Sequence, residues 1–292
     1  MQSRADTIRG LLSAGRTINM PGVYDALTCR IATRAGFDVL FVSGYSVSAS
    51  RLGMPDYGYL TQTEIADAAA SICRNTDAPV IVDADTGYGN PLNTIRTARL
   101  LEQAGAAGIF LEDQVWPKKC GHFAGKQVVE RWDWLSKLQA VVDLRSEGVD
   151  LFLVARTDAL AVLGIDEAIT RACMARDLGA DAVFVEAPRT IEDLELVAAK
   201  VEGVVRVANM IEGGRTPLLS AAELHDLGYD LIVTPLAALF AAARAVENAL
   251  GILRSETTLR DHLDLLVTFG DFEPVVDLEA HKKLEEHYRS SS

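Results

Sequence analysis

Eight short apolar runs punctuate the chain, separated by longer stretches in which apolar residues recur at helical spacing. The runs are TINMPGVY, VLFVSG, PVIVDAD, AGIFLED, LFLVARTD, AVFVEA, RVANMI and LIVTPL. Continuous apolar runs, rather than alternating ones, mark parallel strands covered on both faces. Ahead of several runs one phrase recurs, as RAGFD, QAGAAG, DLGAD and DLGYD. It reads as a helix C-terminus closed by glycine, then a short turn into the next strand. Eight such units in roughly 250 residues predict an α/β fold of the (β/α)8 TIM-barrel class. A doubly wound open sheet is the rival, but the GxGxxG turn it needs after its first strand is missing.

After Leu250 the rhythm changes. TTLRDHLDLLVTFGDFEPVVDLEAHKKLEEHYRSSS predicts two or more amphipathic helices and a polar tail whose last residues are expected to be disordered. The chain therefore reads as one barrel domain over 1–292, with 251–292 as a helical extension. Helices outside the barrel must bury their apolar faces elsewhere, which points to a second copy of the chain.

Composition narrows the function. The chain has 292 residues, 49% of them hydrophobic, enough for a large core. Its net charge of −13 and pI near 4.8 argue against nucleic acid or an anionic membrane as partner, because both would be repelled. An anionic substrate would need positive charge concentrated at its site. The four cysteines are scattered without a CxxC pair, the first residues lack a signal-peptide apolar region, and no run of about 18 apolar residues occurs. These features predict a cytoplasmic protein with no membrane partner. Cys29, Cys73 and Cys173 fall in helical patterns and read as small buried apolar residues.

The strand ends carry the chemistry. Ser43, Asp83, Asp85, Glu112, Arg156, Asp158, Glu186, Asn209 and Thr234 lie at or near C-terminal strand ends, which in a barrel converge on one mouth. Asp83 and Asp85 stand two apart, so alternation along a strand would aim both carboxylates to one side. Two such carboxylates repel unless a cation intervenes, and Mg²⁺ uses one or two carboxylates plus waters, with Glu112 placed to take one of those waters. Capping of neighbouring loop amides is the structural alternative. Arg156 has the planar fork that suits a substrate carboxylate, or else pairs structurally with Asp158 or Glu186. Glu186 and Asn209 offer a carboxylate and an amide beside it.

Cys120 sits in EDQVWPKKCGHFAGK, flanked by Lys118, Lys119 and His122. Nearby cations lower a thiol's pKa, so Cys120 is a candidate acid, base or nucleophile on a polar loop able to open and close. An incidental surface cysteine beside solvated lysines is the alternative.

KKCGH, SGYSVSASRLGMPDYG, VDADTGYGNPLN, VARTDA and ANMIEGGRTPL together resemble, in order, the isocitrate lyase/phosphoenolpyruvate mutase superfamily. The resemblance spans essentially the whole chain. It is strongest to the branch of petal death protein, 2,3-dimethylmalate lyase and oxaloacetate hydrolase, near 2-methylisocitrate lyase. It implies a barrel whose C-terminal helices are exchanged between subunits of a homotetramer. It implies Mg²⁺ held by Asp85 and through water by Asp83 and Glu112, and leaves open whether Mn²⁺ can replace it. A small di- or tricarboxylate would be bound by Ser43, Gly44, Tyr45, Asp56, Gly121, Arg156, Glu186, Asn209 and Pro235. Cys120, His122, Arg156 and Glu186 form the implied catalytic set. The family's mutase branches lack the Cys–Gly–His element, so KKCGH implies carbon–carbon cleavage with Cys120 as general acid. Tyr45, where isocitrate and methylisocitrate lyases carry glycine, counts against a tricarboxylate. Pro235, where oxaloacetate hydrolases carry serine, counts against oxaloacetate. The expected substrate is then a 2-hydroxydicarboxylate of the 2-alkylmalate type, such as 2,3-dimethylmalate, or 2-methylisocitrate, cleaved to an α-keto acid such as pyruvate and a second carboxylic acid. The alternatives are oxaloacetate hydrolysis or decarboxylation, a carboxyvinyl-carboxyphosphonate phosphorylmutase, and a non-catalytic metabolite-binding barrel.

Overall fold

The computed structural model describes residues 3–121 and 125–289. Eight parallel strands close into a barrel in chain order: β1 Ile18–Val23, β2 Leu40–Val42, β3 Val80–Asp83, β4 Gly108–Glu112, β5 Phe152–Thr157, β6 Ala182–Val185, β7 Val205–Asn209 and β8 Leu231–Thr234. Closure comes from β1 pairing with both β2 and β8, through Gly22 opposite Phe41 and Ile18 opposite Leu231. Seven of the strands lie within one of the eight apolar runs, and β7 begins one residue ahead of its run.

Alternation explains why those runs are continuous. Ile81, Phe152 and Val154 turn into the barrel, where they meet Met20, Phe41, Phe110 and Phe184. Their neighbours Val80, Val82, Leu153 and Ala155 turn outward against helix residues such as Ile65, Leu101, Trp134 and Leu138. Both faces are therefore dry, and each buried aliphatic or aromatic side chain contributes about 1.5–3 kcal/mol. The helix Arg4–Ser13 brings Ala5 and Ile8 into the inner cluster at the N-terminal strand ends and closes that side. The opposite mouth is left for chemistry.

The recurring glycine phrase behaves as its sequence predicts. At Gly179, for example, φ is 108° and the glycine amide bonds back to the Arg176 carbonyl, ending the helix Ile165–Leu178. Helix starts are set by side-chain caps, as where Thr61 and Glu64 bond each other's main chain at the helix Gln62–Cys73.

The helix Ala237–Glu256 follows β8, runs through position 250 and has no buried residue, leaving Phe240, Val246, Leu250 and Leu253 exposed. Beyond it the chain returns to the barrel surface, where Arg30 pairs with Asp277 at 2.7 Å and Arg34 donates to the Pro274 carbonyl at 3.0 Å. Phe269 is 90% exposed. Residues 290–292, at the end of the tail, lie outside the described residues. Cys29 and Cys73 are buried as expected, but Cys173 is half-buried, because its helix turns that flank toward the Lys200 carbonyl at the surface. No helix among the described residues is long and apolar enough to cross a membrane.

Candidate active site

The C-terminal strand ends surround a cavity of about 450 Å³, open mouth included. Its walls bring together Ser43, Tyr45, Asp56, Asp83, Cys120, Gly121, Arg156, Glu186, Asn209 and Pro235. The floor is aromatic. Phe110 stacks between Phe41 and Phe184, with centroids 4.8 and 5.8 Å away, and the Arg156 guanidinium lies 5.4 Å over Phe184. Thr234 stays with the barrel wall, donating toward Asn19 and Met20.

Asp83 and Asp85 converge, but not through strand alternation. β3 ends at Asp83, and Asp85 sits beyond it in the left-handed region at φ 47°. A strand no longer defines its direction there. What aims it is a local turn, in which the Asp85 amide donates to Asp83 Oδ1 at 3.2 Å. Gly44 lies against both carboxylates: a methyl on it would stand 2.9 Å from Asp83 Oδ2 and 3.6 Å from Asp85 Oδ1. Ser43 caps the short helix Gly44–Val47 by accepting from the Ser46 amide. The first amides of that helix, at Gly44 and Tyr45, have no partner within it.

The carboxylates outnumber the cations. Asp56, Asp83, Asp85, Glu112, Asp158 and Glu186 face Lys118, Lys126 and Arg156 among the described residues, and all but Arg156 are buried to 8% exposure or less. Burial pushes the Asp85 carboxyl up to about 7, with Asp83 and Asp56 adding and Lys118 opposing. Burial likewise pushes Glu112 well above the usual carboxylate range, with Asp158 and Asp85 adding against Arg156 and Lys118. Glu112 Oε1 is buried without a hydrogen-bond partner. Asp85 Oδ1 is not orphaned in the same way, because Lys118 Nζ pairs with it at 2.7 Å. An unpartnered buried oxygen on Glu112, amid carboxylates that outnumber their cations, fits a hard divalent cation. No three His, Cys, Asp or Glu side chains among the described residues are grouped to grip one ion together. An ion there would rest on one or two carboxylates and water.

The thiol is not where a surface loop would leave it. Cys120 is 9% exposed, and its amide donates to the Asp56 carbonyl at 3.1 Å. Lys118, expected beside the thiol, instead puts Nζ on Asp56 and Asp85, while Lys119 reaches the Gly125 carbonyl and the Tyr57 ring. Buried carboxylates attract a cation more strongly than a thiol does, which explains the reversal. Burial pushes the Tyr45 hydroxyl up, and Cys120 and Asp56 add to that shift, so Tyr45 and Cys120 share one wall. Gly121 lies flat on the Arg156–Glu186 ion pair: a methyl on it would meet Glu186 Oε2 at 2.5 Å and Arg156 Nη2 at 2.6 Å. His122 lies outside the described residues.

Arg156 is not a lone cation. It pairs with Glu112 at 3.2 Å, Asp158 at 3.0 Å and Glu186 at 3.0 Å. Asn209 donates to both Glu186 oxygens at 3.4 Å, while its own Oδ1 is buried without a hydrogen bond. Pro235 is held rigidly: its carbonyl accepts from Ser46 Oγ at 3.1 Å, and its main chain presses on Gly22.

Several residues of this site escape a reading of the sequence. Tyr88 donates to Asp85 Oδ2 at 3.0 Å. Gln114 clamps the Lys119 main chain with both ends of its amide. Asp113 receives Thr157 Oγ1, the Asp158 amide and Arg171 Nη1. Only the position of Asp113 and Gln114 beside the strand end of LEDQ could have hinted at them.

The family model described as phosphoenolpyruvate phosphomutase matches residues 8–253. The petal death protein of Dianthus caryophyllus is 46% identical over 290 residues, covering 98% of this chain and 90% of that protein. The crystal structure of 2,3-dimethylmalate lyase, a PEP mutase/isocitrate lyase superfamily member, superposes with TM-score 0.92 at 35% identity, covering 99% of this chain and 96% of that one. Oxaloacetate acetylhydrolase in complex with 3,3-difluorooxalacetate also reaches TM-score 0.92 at 35% identity, covering 98% of this chain and 97% of that one. With its barrel, its mouth of carboxylates and its thiol-bearing loop, the chain belongs to the PEP mutase/isocitrate lyase superfamily.

Proposed function

We propose that the chain is a divalent-metal-dependent carbon–carbon lyase that cleaves a 2-alkylmalate, such as 2,3-dimethylmalate, to an α-keto acid such as pyruvate and a second carboxylic acid. The observation that carries this reading is that Cys120 lines the same cavity as Asp83, Arg156 and Glu186, with its neighbour Gly121 lying on the Arg156–Glu186 pair. A binding module has no use for a thiol held there.

Asp85 would hold Mg²⁺ or Mn²⁺ directly, with Asp83 and Glu112 acting through water. When bound, the ion supplies Lewis-acid polarisation of the substrate's C2 oxygen and adjacent carboxylate. Arg156, Asn209 and the amides at Gly44 and Tyr45 orient the carboxylates, and Glu186 fixes Arg156 and Asn209. The C2 hydroxyl proton passes to solvent water as C2=O forms. The C2–C3 electrons pass to the departing fragment, and the Cys120 thiol protonates that carbon, with its proton replaced from solvent. Phe184, Ile211 and Leu236 give the alkyl groups an apolar wall.

Oxaloacetate hydrolysis is the second reading, favoured by the likeness to oxaloacetate acetylhydrolase. Pro235 opposes it, since a rigid proline offers no hydroxyl to a hydrated carbonyl. Phosphoryl transfer, suggested by the family model's description, is opposed by the thiol. Proton NMR of products from 2,3-dimethylmalate, 2-methylisocitrate, citramalate and oxaloacetate, with Mg²⁺ and with a chelator, separates these. Metal-dependent pyruvate plus a simple acid from an alkylmalate supports the lyase. Oxalate plus acetate from oxaloacetate, with alkylmalates untouched, overturns it.

The same reading takes the protein as a cytoplasmic homotetramer that exchanges the helices after β8 between subunits. The exposed apolar face of Ala237–Glu256 supports this assembly.

A further inference from the structure

We propose that Lys126 is a positioning residue that fixes Cys120 and Gly121 over Arg156 by bridging the Gly121 carbonyl to Asp158. Its side chain is 1% exposed and that of Asp158 is fully buried. Nζ lies 2.7 Å from Asp158 Oδ1 and donates to the Gly121 carbonyl. Asp158 Oδ2 meanwhile accepts from Arg156 Nε at 3.0 Å. Asp158 Oδ1 also accepts from Arg156 Nη2 at 3.3 Å, so one carboxylate binds both the cation that holds the thiol-bearing segment and the cation on which that segment rests.

Burying an ammonium is costly unless its charge is matched and its donors are used. A solvent-facing lysine would serve if the loop needed only charge, so the burial itself indicates a geometric task. The backbone supports that task. Gln114 and Val128 form an antiparallel bridge, and the Val115 amide donates to the Gln127 carbonyl at 2.9 Å. Lys126 thus stands one residue outside a pinned two-stranded base. On the outgoing side Gln114 grips the Lys119 main chain, so the segment from Lys119 to Gly121 is held from both flanks. Lys126 is not itself among the residues that line the cavity; it acts through Gly121 and Asp158.

The inference rests on the reading that Cys120 acts on substrate, and the test separates the two. Cys120 alkylation by iodoacetamide is followed in substrate-free enzyme by peptide mass spectrometry, which resolves it from the other three cysteines. Lys126→Met should speed Cys120 alkylation about tenfold or more, while Cys29 and Cys73 stay protected. Turnover should fall at least as much with little change in KM, and Lys126→Arg should restore part of both. Wild-type labelling and turnover in a stably folded Lys126→Met enzyme would overturn the proposal. If that variant does not fold, acetic anhydride treatment of the wild type decides. Lys126 should acetylate far more slowly than exposed Lys283, and the acetylated molecules should alkylate faster at Cys120. Acetylation of Lys126 at the Lys283 rate, or no change at Cys120, would overturn it. Because alkylation is read without substrate, failure of the substrate assignment leaves this result intact.

Discussion

Lys118 Nζ stands 2.7 Å from Asp85 Oδ1 and 2.6 Å from Asp56 Oδ1, with all three side chains buried. A lysine therefore already pairs with the carboxylate proposed to hold a divalent ion. Removing one member of such a buried cluster typically costs about 3–5 kcal/mol, because the remaining charges lose their partner. In metal-free buffer Lys118→Met should lower the melting temperature by roughly 5–15 °C on that basis. Mg²⁺ should then raise the variant's melting temperature more than the wild type's, since the ion no longer competes with an ammonium. Differential scanning fluorimetry over a Mg²⁺ titration reads this directly. An equal response in the two proteins would mean that Asp85 does not meet the metal.

Gly121 is needed for its missing side chain rather than for its backbone freedom. Gly121→Ala would place a methyl on the Arg156–Glu186 pair and lift Cys120 from its position. Displacing a reacting group by about 1 Å can cost roughly a hundredfold in rate. Turnover should fall on that scale with an almost unchanged melting temperature, because the change lies at the mouth and not in the core. A variant with wild-type kcat would show that the thiol's placement does not matter.

Acid stability should carry the signature of Glu167. Its carboxyl is pulled down from an ordinary 4.5 to about 2, first by its hydrogen bond to Arg131 and then, against some burial, by Arg171. A depressed carboxyl stabilises the fold fully above its unfolded pKa and loses that contribution as pH falls through the folded value. The melting temperature of the wild type should therefore fall more steeply than that of Glu167→Gln between pH 4.5 and 2. At neutral pH the two should differ by a constant offset. Parallel curves in the acid range would contradict this assignment. The pair also matters to the site, since Arg171 supports Asp113 beneath the Asp158 amide.

The apolar face beyond β8 makes the assembly testable. Leu253→Asp combined with Phe269→Asp should shift the molecular mass in light scattering from a multiple of the chain mass to the single chain. An unchanged mass would place the interface elsewhere.

The barrel was legible because a parallel strand dry on both faces leaves a continuous apolar run, and the glycine phrase marks each helix end. The polar strand ends were legible for the same reason, since Arg156, Glu186 and Asn209 interrupt otherwise apolar segments. Lys118 and Lys126 were not. In sequence they look like solvated cations near a thiol, and what buries them is the approach of Asp56, Asp85 and Asp158 from remote segments. Asp85 shows the limit of periodicity: its convergence on Asp83 is real, but it arises in a turn with positive φ, where strand alternation no longer applies.

The central claim is that Cys120 delivers the proton that completes carbon–carbon cleavage. Its most direct test is the turnover of Cys120→Ser on a 2-alkylmalate at saturating Mg²⁺, beside its melting temperature. A positioned general acid contributes about 10²–10⁴-fold, and serine keeps the shape of the thiol without its acidity. The account predicts a loss on that scale with the fold intact. Turnover within a few-fold of the wild type would contradict it.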